Sequence, residues 1–154
     1  PFPQSEPYNG SRWYGDVLEM AFSGFYQPRF PGLKPAKVLD PMGICFEECR
    51  DLIRRLARDG VDSVVILHSF SLFKVQNKQY DGGRPNHIIT RRFERLCRWL
   101  ANPDVPLQVT TFTHLNQCLK AGTYQPKAAL PPTLPAARAV VRKIVQVYNN
   151  FYRT

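Results

Sequence analysis

The sequence predicts an α/β fold whose sheet is incomplete. A helical apolar periodicity starts at Cys45, and an unbroken β-branched run, Val64-Val65-Ile66-Leu67, follows directly after Gly60. A second helix pattern and a third strand pattern then repeat that rhythm between Thr90 and Phe112. The three strands visible in this way are too few for a closed barrel or a good open sheet, so a partner has to supply the rest.

Composition fits an ordinary globular chain. Of 154 residues, 44% are hydrophobic and 21% charged, which argues against wholesale disorder. No apolar run approaches the roughly 18–20 residues that span a bilayer as a helix. Twenty-one basic against twelve acidic residues leave a net charge of +9, which suits an anionic partner or surface. Fourteen prolines mean many rigid connections. Residues 1–8 carry no initiator Met, basic n-region or apolar h-region, so they are expected to be the interior of a longer protein, with the chain a fragment or cleavage product in a cytoplasmic or membrane-associated setting.

The elements follow in order. Residues 1–13 are proline-rich and expected to be irregular. Asp16-Val17-Leu18-Glu19-Met20-Ala21-Phe22 predicts a mostly buried strand ended by Ser23-Gly24. Residues 26–43 contain four prolines and little periodicity, which predicts a long ordered loop. From Cys45, residues Phe46, Cys49, Leu52, Ile53 and Leu56 share one helical face. Glu47 and Glu48 in the first turn and Arg54, Arg55 and Arg58 in the last complement the helix dipole, Asp51 and Arg55 form an i, i+4 pair, and Gly60 fits the stop.

Val64 to Leu67 reads as a strand covered on both faces, the habit of parallel sheets. A polar loop over 74–89 leads to a helix from about Thr90 to Ala101, with Phe93, Leu96, Cys97 and Leu100 inward. Val105 to Phe112 is the third strand, and Thr113-His114-Leu115 opens a short helical turn. Residues 122–135 form a Pro-rich linker, and 136–154 a basic amphipathic helix whose Val140, Ile144, Val147 and Phe151 are expected to dock on the protein's own body. After Asp104 there is no acidic residue, while Lys120, Lys127, Arg138, Arg142, Lys143 and Arg153 are all basic.

Four cysteines, Cys45, Cys49, Cys97 and Cys118, lack both CxxC and finger spacing, so buried free thiols are expected instead of a zinc site or a disulfide framework. His68 directly follows the Val64–Leu67 strand. The carboxyl rim of a parallel sheet is where α/β folds place ligands and catalytic groups, and an imidazole there suits general acid–base work as well as a plain loop hydrogen bond. Ser69 and Ser71 could bind a sugar or the backbone, and Glu19 is a single acid in an apolar strand. Trp13, Tyr14, Tyr80 and Trp99 would suit stacking on sugars, although most aromatics are core.

These pieces, with Gly83-Arg84-Pro85-Asn86, Arg92 to Leu100 and Val109-Thr110-Thr111-Phe112-Thr113-His114-Leu115, are familiar as a set. Residues 13–115 resemble the C-terminal half of the polysaccharide deacetylase (NodB-homology) family, in its WalW-like branch. The resemblance rests on the Leu-x-His motif, here Ile66-Leu67-His68 with Leu67-His68 in the motif's place, and on the flanking elements. It implies a partial (β/α) barrel over 1–121: the last three strands, with their helices, of a deformed (β/α)7 barrel. It also implies a hydrolase that removes acetyl from an N-acetylated glycan, with His68 assisting proton transfer and Leu67 walling the acetyl pocket; Ser69 and Glu19 are substrate-side candidates on their own chemistry and position, outside the resemblance.

The family's divalent metal, with zinc the expected one, is held by an Asp and two His in the N-terminal half. This chain has no His-x-x-x-His and no Asp-Asp pair near a strand end, so these residues alone are expected to bind no metal. The implied partners are the N-terminal part of the same domain or a second copy, and a glycan; peripheral membrane contact is the next expectation for the basic tail, and nucleic acid is not expected. A catalytically inactive glycan-binding relative and a basic interaction domain for an anionic partner are the alternatives.

Overall fold

A computed structural model describes residues 7–28, 36–74 and 83–151. The fold is mixed α/β: among the described residues there are four α-helices and small antiparallel sheets, and no barrel closes. Residues 9–13, expected to be irregular, belong to a hairpin, and residues 1–6 lie outside the described residues. Strand β1 (Asn9–Tyr14) pairs antiparallel with β2 (Val17–Ala21) through the Gly15-Asp16 turn, where Gly15 has φ +58. The expected strand at 16–22 is therefore present, but as an outer strand with Val17 and Glu19 exposed.

Strand β3 (Gly24–Tyr26) pairs antiparallel with β4 (Ala36–Val38), so the region read as a loop contributes a strand. The side chain of Asn9 does the work of a peptide group here: its Nδ2 donates to Gly24 O at 2.9 Å and its Oδ1 accepts from Gly24 N at 2.6 Å.

Helix α1 (Phe46–Arg58) matches its periodicity and buries Phe46, Cys49, Leu52, Ile53 and Leu56. Its first turn is capped by its own Glu48, whose Oε2 accepts from Cys45 N at 2.9 Å. Gly60, at φ +66, ends it. Phe25, Leu39, Val61, Leu96 and Leu134 join this face to form the core. Each such side chain contributes about 1.5–3 kcal/mol on burial.

Two expected strands are absent. Val64 to Leu67 is extended and half-buried but forms no ladder. It is tied by single rungs: Ser23 N donates to Val64 O at 3.1 Å, Val64 N to Ser23 Oγ at 2.9 Å, and Ile66 N to Leu39 O at 3.1 Å. Val105 to Thr111 is irregular and mostly exposed, with Val109 at 71%. Pro106 removes a ladder donor, and Leu107 N turns back to Val105 O at 2.7 Å.

Helix α2 (His87–Leu100) starts earlier than its periodicity suggested, because Asn86 caps it, with Oδ1 accepting from Ile89 N at 3.5 Å. Its buried stripe is Ile89, Arg92 and Leu96, which rolls Cys97 out to solvent. Helix α3 (Phe112–Lys120) is capped by Thr111, whose Oγ1 accepts from His114 N at 3.2 Å.

The 122–135 stretch is woven into the fold. Strand β7 (Ala128–Ala129) pairs with β1, Tyr26 exchanges backbone bonds with Pro132 and Leu134, and Leu134 is in the core. Helix α4 (Ala136–Phe151) follows. The expectation that Val140, Ile144 and Val147 dock on the body is reversed: these three are 50–65% exposed, while Ala139 and Arg142 are buried. Phe151's side chain lies outside the described residues.

Candidate functional site

His68 lies where the chain leaves the extended Val61–Leu67 segment and enters a 3₁₀ turn (Ser69–Leu72). Its carbonyl accepts from Ser71 N at 2.9 Å, which fixes the backbone and leaves the ring outside. That ring is exposed and stacks on Phe70, with centroids 4.8 Å apart and planes 8° from parallel. Phe70 is itself 51% exposed, and Phe73, in β5 (Phe73–Lys74), is 54% exposed. Strand β5 pairs with β6 (Arg84–Pro85), and Asn86 N then donates to Leu72 O at 2.7 Å, so the turn is held at its C-terminal end.

Leu67 is half-buried beside His68, and Ser69 is exposed on the turn. Ser71 is buried, and its hydroxyl has no hydrogen-bond partner. The structure keeps Leu67, His68 and Ser69 together only as consecutive residues of the chain. It does not join Glu19 to them by any hydrogen bond or ion pair among the described residues. Glu19 sits on β2, 3.7 Å from Arg12 Nε, and Arg12 lies over the Tyr8 ring at 3.9 Å. Burial, with the nearby charge of Glu19 adding to it, pushes the Tyr8 phenol up from its usual range.

Of the other histidines, His87 is exposed at the start of α2, and His114 Nε2 lies 3.6 Å from Cys118 Sγ on α3. All four cysteines are free. Burial drives the Cys45 thiol up to about 11 and the Cys49 thiol up to about 12, so both are unreactive at neutral pH. Cys97 corrects the expectation of burial. Trp13 and Tyr14 are exposed on the hairpin, Trp99 packs edge-on against Phe46 in the core, and Tyr80 lies outside the described residues.

Sequence reasoning missed a buried ionic cluster between α1 and α4. Glu48 and Arg142 are each 1% exposed and form an ion pair, and Arg142 also donates to Gln27 Oε1. Arg92 donates to the carbonyls of Pro41 at 2.7 Å and Ile44 at 2.6 Å, and burial lowers its pKa. The available signal was the spacing of Arg138, Arg142 and Gln146 on one helical stripe, opposite the apolar one. This cluster is structural: Glu48, Arg142 and Gln27 bond one another in the interior, and only the Nε of Arg142 is left without a partner there.

Among the described residues no three His, Cys, Asp or Glu side chains converge to hold a metal ion. No helix among them is long and apolar enough to cross a membrane. A shallow apolar cavity of about 290 Å³, lined by Leu18, Met20, Phe112, Leu115, Asn116 and Leu119, lies between β2 and α3. No family model, curated protein or solved structure matches the chain.

Proposed function

We propose that the chain is the C-terminal part of a carbohydrate deacetylase that hydrolyses an acetamide on a glycan, with His68 as its proton-transfer residue. The observation that carries this reading is the exposed His68 ring held on Phe70 at the end of the Val61–Leu67 segment. Acetamide hydrolysis releases an amine that must gain a proton. An imidazole can carry that proton and deliver it. The exposed faces of Phe70 and Phe73 offer apolar area on which a sugar ring can stack, Ser69 offers a hydroxyl, and Leu67 walls one side.

In this proposal the divalent ion, zinc, is held by the N-terminal half of the domain; among the described residues no three metal-ligating side chains converge. Two features support such a half. Strand β2 stands at the edge of its sheet, and the apolar cavity opens between it and α3. The proposed partial barrel is residues 1–121 completed by that half, which would have to supply the strand neighbours that Val64 to Leu67 and Val105 to Thr111 lack.

The test uses the longer polypeptide with added divalent metal and an N-acetylated oligosaccharide, reading acetate release. His68→Ala lowers turnover by about 10²–10⁴-fold, the weight of positioned acid–base catalysis. Sugar affinity changes much less, because the gain is made in the transition state. Equal release by wild type and a folded His68→Ala variant would leave His68 structural. Glycan binding with no release by either would favour the inactive relative.

A further inference from the structure

Helix α4 is amphipathic the wrong way round for a helix docked on its own domain. It runs antiparallel to α1 and is fastened by polar groups. Arg138 pairs with Asp51 at 3.1 Å, Arg142 with Glu48, and Gln146 Nε2 donates to Gly43 O at 3.1 Å. Residues 138, 142 and 146 are i, i+4, i+8 and so form one stripe. On the opposite arc stand Val140 (56% exposed), Val141 (45%), Ile144 (65%), Val147 (50%) and Tyr148 (61%). Ala137 and Phe151 fall on the same arc in the sequence, so no polar residue interrupts it.

We propose that this face of α4 is a docking surface for an anionic lipid bilayer, on which the helix lies in the interfacial plane with the rest of the chain above it. Charge selects the occupant. The chain has no acidic residue after Asp104, and the two α1 acids nearest α4, Glu48 and Asp51, are already paired inward. Exposed Lys143 flanks the stripe, three or four positions from Val140 and Val147. Beyond the N-terminus of α4, the antiparallel register continues α1 into Arg55 and Arg58, both exposed.

An apolar arc flanked by Lys143, with no acid on its helix, matches a lipid surface bearing negative headgroups. A second copy fits less well, since two such helices would set Lys143 near its like with nothing opposite. The helix, about 24 Å long at 1.5 Å per residue, reaches along a membrane surface and does not cross the membrane.

The experiment is co-sedimentation of the 154-residue chain with phosphatidylcholine vesicles, with and without phosphatidylserine, at low and raised salt. Binding is expected to the phosphatidylserine vesicles and to weaken with salt. The exposed-face variant V140S/I144S/V147S, with its melting curve checked, is expected to bind roughly tenfold more weakly or worse. Lys143→Glu is expected to weaken binding roughly fivefold or more, because it leaves the apolar arc intact but reverses its flanking charge. Tryptophan emission from Tyr148→Trp should move to shorter wavelength on binding. Absence of binding, or equal binding by the triple-serine variant, overturns the proposal. So does sedimentation of the free chain as a dimer that the same variant dissolves.

Discussion

At the scale of single residues, the fold depends on polar side chains placed where apolar ones would be expected. Arg142 is the clearest case, a fully buried cation whose charge is met by Glu48 and whose second terminal nitrogen is met by Gln27. Truncating one member of such a pair leaves the other charge desolvated and alone. Arg142→Ala should therefore cost about 3–5 kcal/mol in urea unfolding, while replacing Glu48 and Arg142 together with Met should recover most of that loss. A double variant no better than the single would place the energy elsewhere.

The thiols make a second prediction at this scale. The folded chain holds Cys45 near 11 and Cys49 near 12, against 9.0 when exposed, and Tyr124 near 12 against 10.0. Burial is the first cause for each, followed for Tyr124 by its hydrogen bond to Asp62. Below pH 9 both folded and unfolded chains keep these protons. Above it the unfolded chain releases protons that the folded one retains, so stability falls as pH climbs from 9 toward 12. Urea midpoints measured below pH 9 and near pH 11 should show the drop, and Cys45→Ala with Cys49→Ala should flatten it. A thiol reagent at neutral pH should label Cys97 quickly and leave Cys45 and Cys49 until unfolding.

At the scale of elements, α1 was legible because periodicity, first-turn acids and a terminal glycine all agree in one segment. Val64 to Leu67 was misread for a physical reason: a β-branched run records burial and extension, but a ladder also needs neighbours in register, and this run meets only Ser23 and Leu39. The same applies to Val105 to Thr111, which finds no adjacent strand. Helix α4 was placed correctly and its facing inverted, since an apolar stripe says which face is greasy and not whether the body or something else covers it. At the candidate site, the expected place of His68 at the carboxyl end of a buried parallel strand was not met, because Val64 to Leu67 joins no ladder, and the stacking of His68 on Phe70 depends on the 3₁₀ turn, which has no periodic signature. Gly10 was invisible to pattern reasoning as well. It adopts φ +86, and a Cβ there would stand 2.2 Å from the Lys127 carbonyl and 2.6 Å from Val61 Cγ1. Gly10→Ala should destabilise by about 2–4 kcal/mol, combining backbone strain with a clash against main chain. A melting temperature equal to wild type would show that β1 and β7 can part without cost.

At the scale of the whole molecule, the last thirty described residues bind its parts together. Ser11 Oγ meets Tyr124 OH at 2.5 Å and Ser11 N meets Lys127 O at 2.9 Å, while Lys127 Nζ reaches Asp59 O at 2.6 Å at the end of α1. Tyr26 and Leu134 exchange a backbone bond, and Arg142 spans to Gln27 and Glu48. Truncation after Pro135 should consequently lower the melting temperature sharply through the orphaned Glu48 and not through lost apolar contact. Glu48→Gln should relieve part of that deficit, and a truncated chain melting like the full one would reject the argument. The same stitching has a meaning for the order of events during synthesis. The hairpin leaves the ribosome more than a hundred residues ahead of the strand and tyrosine that complete it, as the Ser11–Tyr124 separation of 113 positions measures. Through that interval α1 can coil locally, but its buried carboxylate and the hairpin's inner face have nothing to close on. Assembly is therefore a late, concerted step set by closing long loops, and a growing chain that stalls before Arg142 is held open until translation resumes.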